Sequence, residues 1–223
     1  MAVVVGLTAC TPDNEDPDIP HLVVDEPTQG TAESRDRLTN RLVGLTDLQG
    51  APLYVLPEGQ TRNYLDVLMR PPPFEHEYTP AECAPDTAFT PPPTDLIGVM
   101  GRSNLTDDYS RLRVEIFTAP DADEVAAYFV GADPESPVQC SEFSVTVGDI
   151  TQDFSYASID TPPVGDAATS SRYSVTEDGA TTHYLRVTAV RGSVAASVLL
   201  STTERADQTM TDTVLRLTQQ AIN

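Results

Sequence analysis

The chain has no lysine and no tryptophan, and its 13 basic residues, all arginine, face 34 acids for a net charge of −21. So negative a surface repels polyanions. Neutralising a phosphate backbone needs clustered basic side chains, so nucleic-acid binding is disfavoured. No stretch approaches the roughly 20 apolar residues a membrane-spanning helix needs, so any membrane attachment takes another route. The three cysteines lack the close CxxC spacing of a zinc site. GxSxG, HExxH, Walker A and GxGxxG strings are also missing. With them go the main hydrolytic, metallopeptidase and nucleotide signatures, and a non-enzyme without metal or cofactor is expected.

What is present fits one folded domain with irregular attachments. Nineteen prolines and 12 glycines indicate many loops, while 39% hydrophobic content supports a packed core. At 223 residues the chain has room for a single domain of ordinary size and a tail.

The first residues are a short apolar run, Ala2 to Leu7, followed by Thr8, Ala9 and Cys10. Leu7-Thr8-Ala9-Cys10 resembles the lipobox of bacterial lipoprotein precursors. That resemblance implies cleavage before Cys10, a diacylglycerol on its thiol, and attachment to the outer face of a cell membrane. Signal segments run about 15 to 30 residues and open with a basic residue. Residues 1–9 contain none, so they read as a truncated signal segment. From Asp13 to Asp36 there are eight acids, one arginine and three prolines. Such a segment buries too little apolar surface to offset its ordering entropy, so residues 10–36 are expected to form a flexible acidic tether. The domain then occupies residues 37–223.

With Cys10 assigned to lipid, Cys83 and Cys140 remain as a pair that an oxidising compartment would join, a reading favoured over two free buried thiols. A catalytic thiol would need a histidine partner that nothing in the sequence nominates.

Apolar periodicity predicts a helix from about Ala32 to Leu45, with Leu38, Leu42 and Leu45 on one face. The segment Asn63 to Met69 fits either a short helix or a strand. Pro71-Pro72-Pro73 breaks regular structure, and the proline-rich stretch from Pro80 to Pro93 reads as a stapled surface connection. Leu96 to Arg102 and Leu112 to Phe117 read as strands. In the second, Leu112, Val114 and Ile116 alternate with Arg113 and Glu115, the pattern of a sheet with one face buried. Pro120, Asp121 and Glu124 open a helix with Ala122, Val125, Ala126 and Phe129 on its apolar face. Strands follow around Phe143 to Val147, Phe154 to Tyr156 and Arg172 to Thr176. The segments His183 to Val190 and Val194 to Ser201 form a hairpin about Arg191-Gly192. A closing helix over Thr203 to Ile222 places Ala206, Met210, Val214, Leu217 and Ala221 on one stripe. The fold class is therefore α+β, an antiparallel sheet with helices packed on one face.

This order of features resembles a known group. Leu45-Thr46-Asp47-Leu48 with Gly50 and Pro52, Pro80-Ala81-Glu82-Cys83-Ala84, Phe117 to Ala122, Tyr128-Phe129-Val130, Cys140 and the closing hairpin and helix are similar to the extracellular sensor domain of mycobacterial membrane Ser/Thr kinases. Related actinobacterial envelope lipoproteins share it, and an all-arginine basic set is what a high-GC actinobacterial genome produces. The resemblance spans roughly Leu38 to Asn223. It implies an extracytoplasmic sensory domain with a ligand cleft and no catalytic residues. The chain departs from the group in having one candidate disulfide instead of two, and neither a kinase nor a membrane helix.

Glu75-His76-Glu77 is the densest cluster of potential metal ligands, but neighbours on an extended segment point to opposite sides, so a solvated loop is expected. His183 reads as an edge imidazole, His21 lies in the tether, and Asp107-Asp108 reads as turn chemistry. Arg111, Arg113, Arg172 and Arg186 fall on the expected polar face of the sheet. In so acidic a protein they are expected to pair with carboxylates, and they are the first candidates for contact with an anionic ligand. A lipid or glycolipid carrier is the alternative function. It would require a large apolar cavity between sheet and helices.

Overall fold

The computed structural model describes residues 33–68, 76–84, 91–104, 110–131 and 140–223. Cys10, most of the expected tether, the Pro71–Pro73 break, Glu75 and the Asp107-Asp108 turn lie outside the described residues.

Nine strands form one antiparallel sheet. The elements are, in order, α1 (Arg35–Val43), β1 (Tyr54–Val55), α2 (Glu58–Leu68), β2 (Glu77–Thr79), β3 (Ile97–Arg102), β4 (Arg111–Thr118), α3 (Ala122–Ala126), β5 (Glu142–Val147), β6 (Ile150–Ser158), β7 (Ala167–Glu177), β8 (Ala180–Arg191), β9 (Val194–Thr202) and α4 (Gln208–Ile222). The strands lie side by side as β1-β3-β4-β9-β8-β7-β6-β5-β2. Among the described residues no helix is long and apolar enough to cross a membrane.

Two-residue turns set much of this order. Asp178-Gly179 joins β7 to β8 with both residues at positive φ, 50° and 79°, the conformation that Asp-Gly favours between antiparallel strands. Gly148, at φ 61°, begins the equally short turn between β5 and β6. Gly192, at φ 53°, begins the turn between β8 and β9, where the hairpin was expected.

The alternation read in β4 is real: Leu112, Val114 and Ile116 are at most 1% exposed. They meet Leu185, Val187, Val198 and Leu200 of the neighbouring strands on one face of the sheet, where α1 supplies Leu38 and Leu42, and α4 supplies Val214, Leu217 and Ala221. Ser34 caps α1, its hydroxyl accepting from Arg37 N, so the helix begins inside the segment expected to be tether. Asp207 caps α4 by accepting from Met210 N.

Among the described residues the opposite face is covered at one end only. There α2 brings Leu65 and α3 brings Val125 onto Phe117, Val190 and Ala195. Helices therefore pack on both faces of the β3-β4-β9-β8 half, with α1 and α4 over the main core. The ambiguous segment around Asn63 is helical, part of α2. Asp121 caps α3 as its pattern predicts, accepting from Asp123 N and Glu124 N. Instead of continuing as an α-helix, the chain then widens into a π turn over Ala127–Gly131.

The Cys83–Cys140 disulfide is present, with Cα atoms 5.6 Å apart. It fastens the short 3-10 turn Ala81–Cys83, which follows β2, to the residues leading into β5.

Candidate functional site

Side chains on the partly covered face of the sheet build the most structured polar group in the protein. Glu115 of β4 is 5% exposed, so its carboxylate needs compensation. Arg113, two residues earlier on the same face, supplies it. Its Nε stands 2.7 Å from Glu115 Oε1, an ion pair without the alignment of a linear hydrogen bond. Tyr64 of α2 closes the group from above, its hydroxyl donating to Glu115 and its ring lying 5.5 Å beneath the Arg113 guanidinium. Burial, reinforced by the Glu115 charge, pushes the Tyr64 phenol up to about 12, while Arg113 and Arg186 oppose the shift. Tyr64 is thereby held as a neutral donor.

Sheet register places Arg186 beside this group. Arg113 and Arg186 both face Leu199 across their ladders, so they occupy one row of the same face, two strands apart. Arg186 lines a cleft of about 410 Å³ over β6, β7 and β8, together with Tyr156, Ser158, Ser171, Tyr173 and Thr188. Phe129 forms the wall toward the π turn and is fixed there by stacking on Phe117, centroids 4.9 Å apart. Glycine at position 98 permits this arrangement, because a Cβ there would come within 2.7 Å of the Phe117 ring. Tyr173 stacks on Tyr184 at 4.6 Å, and burial raises its phenol while the Arg186 charge pulls it down.

Arg186 Nε is buried without a hydrogen-bond partner, and among the described residues the guanidinium makes no ion pair. A half-buried cation left unpaired in a chain of net charge −21 is costly to keep. The arrangement suits an incoming anion whose body rests on Phe129 and Tyr156 and whose polar groups reach the serine and threonine hydroxyls.

The four arginines singled out in the sequence thus separate. Arg113 pairs with a carboxylate as expected; among the described residues Arg186 does not. Arg111 lies at the exposed end of β4, on the same face but away from the cleft. Arg172 points to the other face: it is in register with the core residue Leu185, and its Nη2 donates to Thr211 Oγ1 of α4 at 2.8 Å. They were expected to share the polar face because β7 has no clean alternation, nearly all of its residues being half-buried. Tyr64 and Phe129, which complete the site, carried no sequence signal as site residues. His76 and Glu77 are exposed at the start of β2, and among the described residues no three histidine, cysteine, aspartate or glutamate side chains gather as metal ligands.

No protein-family model and no curated protein sequence matches the chain. Among solved structures, the fold is similar to the extracellular domain of PknH from Mycobacterium tuberculosis, with a TM-score of 0.50 and 12% identity over 86% of this chain and 98% of that one. It is also similar, at a TM-score of 0.45 and 13% identity over 77% of this chain and 84% of the other, to a putative uncharacterized protein (Rv0999 ortholog) from Mycobacterium smegmatis. At 12% identity the likeness to the PknH domain is one of fold alone, an α+β architecture.

Proposed function

We propose that the chain is a non-catalytic, extracytoplasmic ligand-binding or sensory domain, held at the membrane by lipid on Cys10, whose ligand is a small anion bound in the Arg186 cleft. The half-buried Arg186 guanidinium, without an ion pair among the described residues, in a cleft of about 410 Å³ carries this reading. The disulfide supports an oxidising compartment outside the cytoplasm. So does the fold shared with the extracellular domain of PknH, and the lipobox-like Leu7 to Cys10 supplies the anchor. Catalysis is disfavoured because the described residues lining the cleft include hydroxyls but no imidazole or carboxylate to take a proton from them. The alternative, a lipid or glycolipid carrier, calls for an apolar cavity between sheet and helices. In the described residues that layer is a close-packed core, and the cleft is lined by polar groups.

Two measurements test the two parts of the reading. Metabolic labelling with a palmitate analogue in an actinobacterial host should mark the wild-type chain and leave Cys10→Ser unlabelled. Equal labelling of both, or of neither, removes the anchor. For the ligand, a thermal-shift panel of small organic anions is scored against wild type and Arg186→Gln. A ligand at a hundred times its Kd contributes about 2.7 kcal/mol. For a domain of this size that raises Tm by roughly 5 to 10 °C. The gain should be absent in Arg186→Gln, and a panel that shifts neither protein, or both alike, ends the ligand proposal.

A further inference from the structure

A second cleft, of about 230 Å³, lies on the other face of the same strands. Its floor is set by register. Ala157, Arg172 and Leu185 form one cross-strand row, and Ser155, Ser174 and His183 form the next row on that face. Consecutive same-face rows are about 7 Å apart, so His183 and both serines border the Arg172 guanidinium. Arg205 adds a second guanidinium from the turn between β9 and α4, where its neighbour Ala206 is pinned in the core at 8% exposure.

Arg172 is positioned by α4. Its Nη2 donates to Thr211 Oγ1, and that hydroxyl donates in turn to the Asp207 carbonyl, each at 2.8 Å. Of the five N–H donors an arginine carries, this is the one with a hydrogen-bond partner among the described residues, and Nε is buried without one. Neither Arg172 nor Arg205 forms an ion pair among the described residues. The described residues lining the cleft include no carboxylate. Acids outnumber basic residues 34 to 13 in the chain, so two arginines and a histidine gathered without an acid among the described lining residues is the reverse of what its composition provides.

We infer that this second cleft binds a phosphate group, taken from a small phosphate ester, inorganic phosphate or a lipid headgroup. Arg172 and Arg205 provide planar donor forks matched to adjacent phosphate oxygens. His183, Ser155 and Ser174 provide single donors around the remaining oxygens. The site is independent of the Arg186 cleft, since the sheet separates the two.

The test uses the whole 223-residue chain. Calorimetric titration with inorganic phosphate at low ionic strength is run beside flotation on vesicles of phosphatidylglycerol or of phosphatidylcholine. Saturable phosphate binding assigns a soluble source; flotation on phosphatidylglycerol alone, without phosphate binding, assigns the headgroup. In either case Arg205→Gln and Arg172→Gln should each weaken binding about tenfold or more, because each removes charge-assisted hydrogen bonds. Arg205 is exposed, so its variant keeps the test valid even if Arg172→Gln loses stability. Arg62→Gln, at an exposed arginine of α2 that lines neither cleft, should leave the affinity unchanged. Absence of binding in both assays, wild-type affinity in both cleft variants, or an equal loss caused by Arg62→Gln would overturn the inference.

Discussion

The two halves of the sheet are stabilised by different means. In β3, β4, β9 and the second half of β8, helices lie on both faces and most strand residues are buried. In β7, β6, β5 and β2, side chains on both faces are mostly half-buried or exposed. The first half relies on apolar burial. The second relies on pairs across strands: Phe143 on Phe154, Tyr78 on Phe143, Ser144 with Asp153, Thr146 with Thr151 and Thr176 with Thr181. Such pairs contribute roughly 0.2 to 1 kcal/mol each, so the second half needs a covalent supplement. Both clefts open over β6 to β8, where the packed half gives way to the open one and a rigid floor meets accessible side chains.

The largest effect should come from removing that supplement. The disulfide closes a loop of 57 residues, worth about 4 kcal/mol in the chain-entropy model. Replacing Cys83 and Cys140 by serine should lower stability by up to that amount. The loss should be uneven: hydrogen exchange should accelerate in β2, β5 and β6 while β4 and β9 keep their protection. Equal acceleration in both halves would show one cooperative unit and erase the distinction.

The packed half should answer instead to alkali. Tyr64 has its phenol raised from 10.0 to about 12 in the folded state, so between these values the folded protein holds a proton that the unfolded chain has released. Stability therefore falls as pH rises. The Tyr64 contribution is fully present below pH 10 and lost by about pH 12, on the order of 2 kcal/mol. Urea unfolding at the two ends of this window should show a smaller loss for Tyr64→Phe than for wild type. An identical loss would mean that Tyr64 is not packed as described.

The same division explains what the sequence made legible. Where one face is fully buried, period-two alternation survives in the residues: Leu112, Val114 and Ile116 revealed β4, and the stripe Val214, Leu217 and Ala221 revealed α4. The β8-β9 hairpin was legible for the same reason, and its two strands carry the centre of the core. In β7 the alternation is weak, so the face to which Arg172 belongs was not readable, although Asp178-Gly179 does announce the hairpin that fixes its register. The sites were less legible than the fold. Tyr64 reaches Arg113 from α2, and Phe129 and Arg205 reach their clefts from the π turn and the β9-α4 turn; no local pattern records which strand a distant segment will face.

The smallest effect probes the open half directly. Phe154 lies parallel to Phe143, centroids 5.0 Å apart and planes 3° apart, yet it remains half-buried. Phe154→Ala removes one cross-strand aromatic pair and leaves little enclosed cavity, because solvent already reaches the ring. A loss of about 1 kcal/mol in urea unfolding is therefore expected. Truncating a fully enclosed phenylalanine typically costs about 3 to 5 kcal/mol. A loss of that larger size at Phe154 would mean that the outer strands are packed as tightly as the core. The disulfide would then be redundant, and the boundary over which both clefts open would carry no special accessibility.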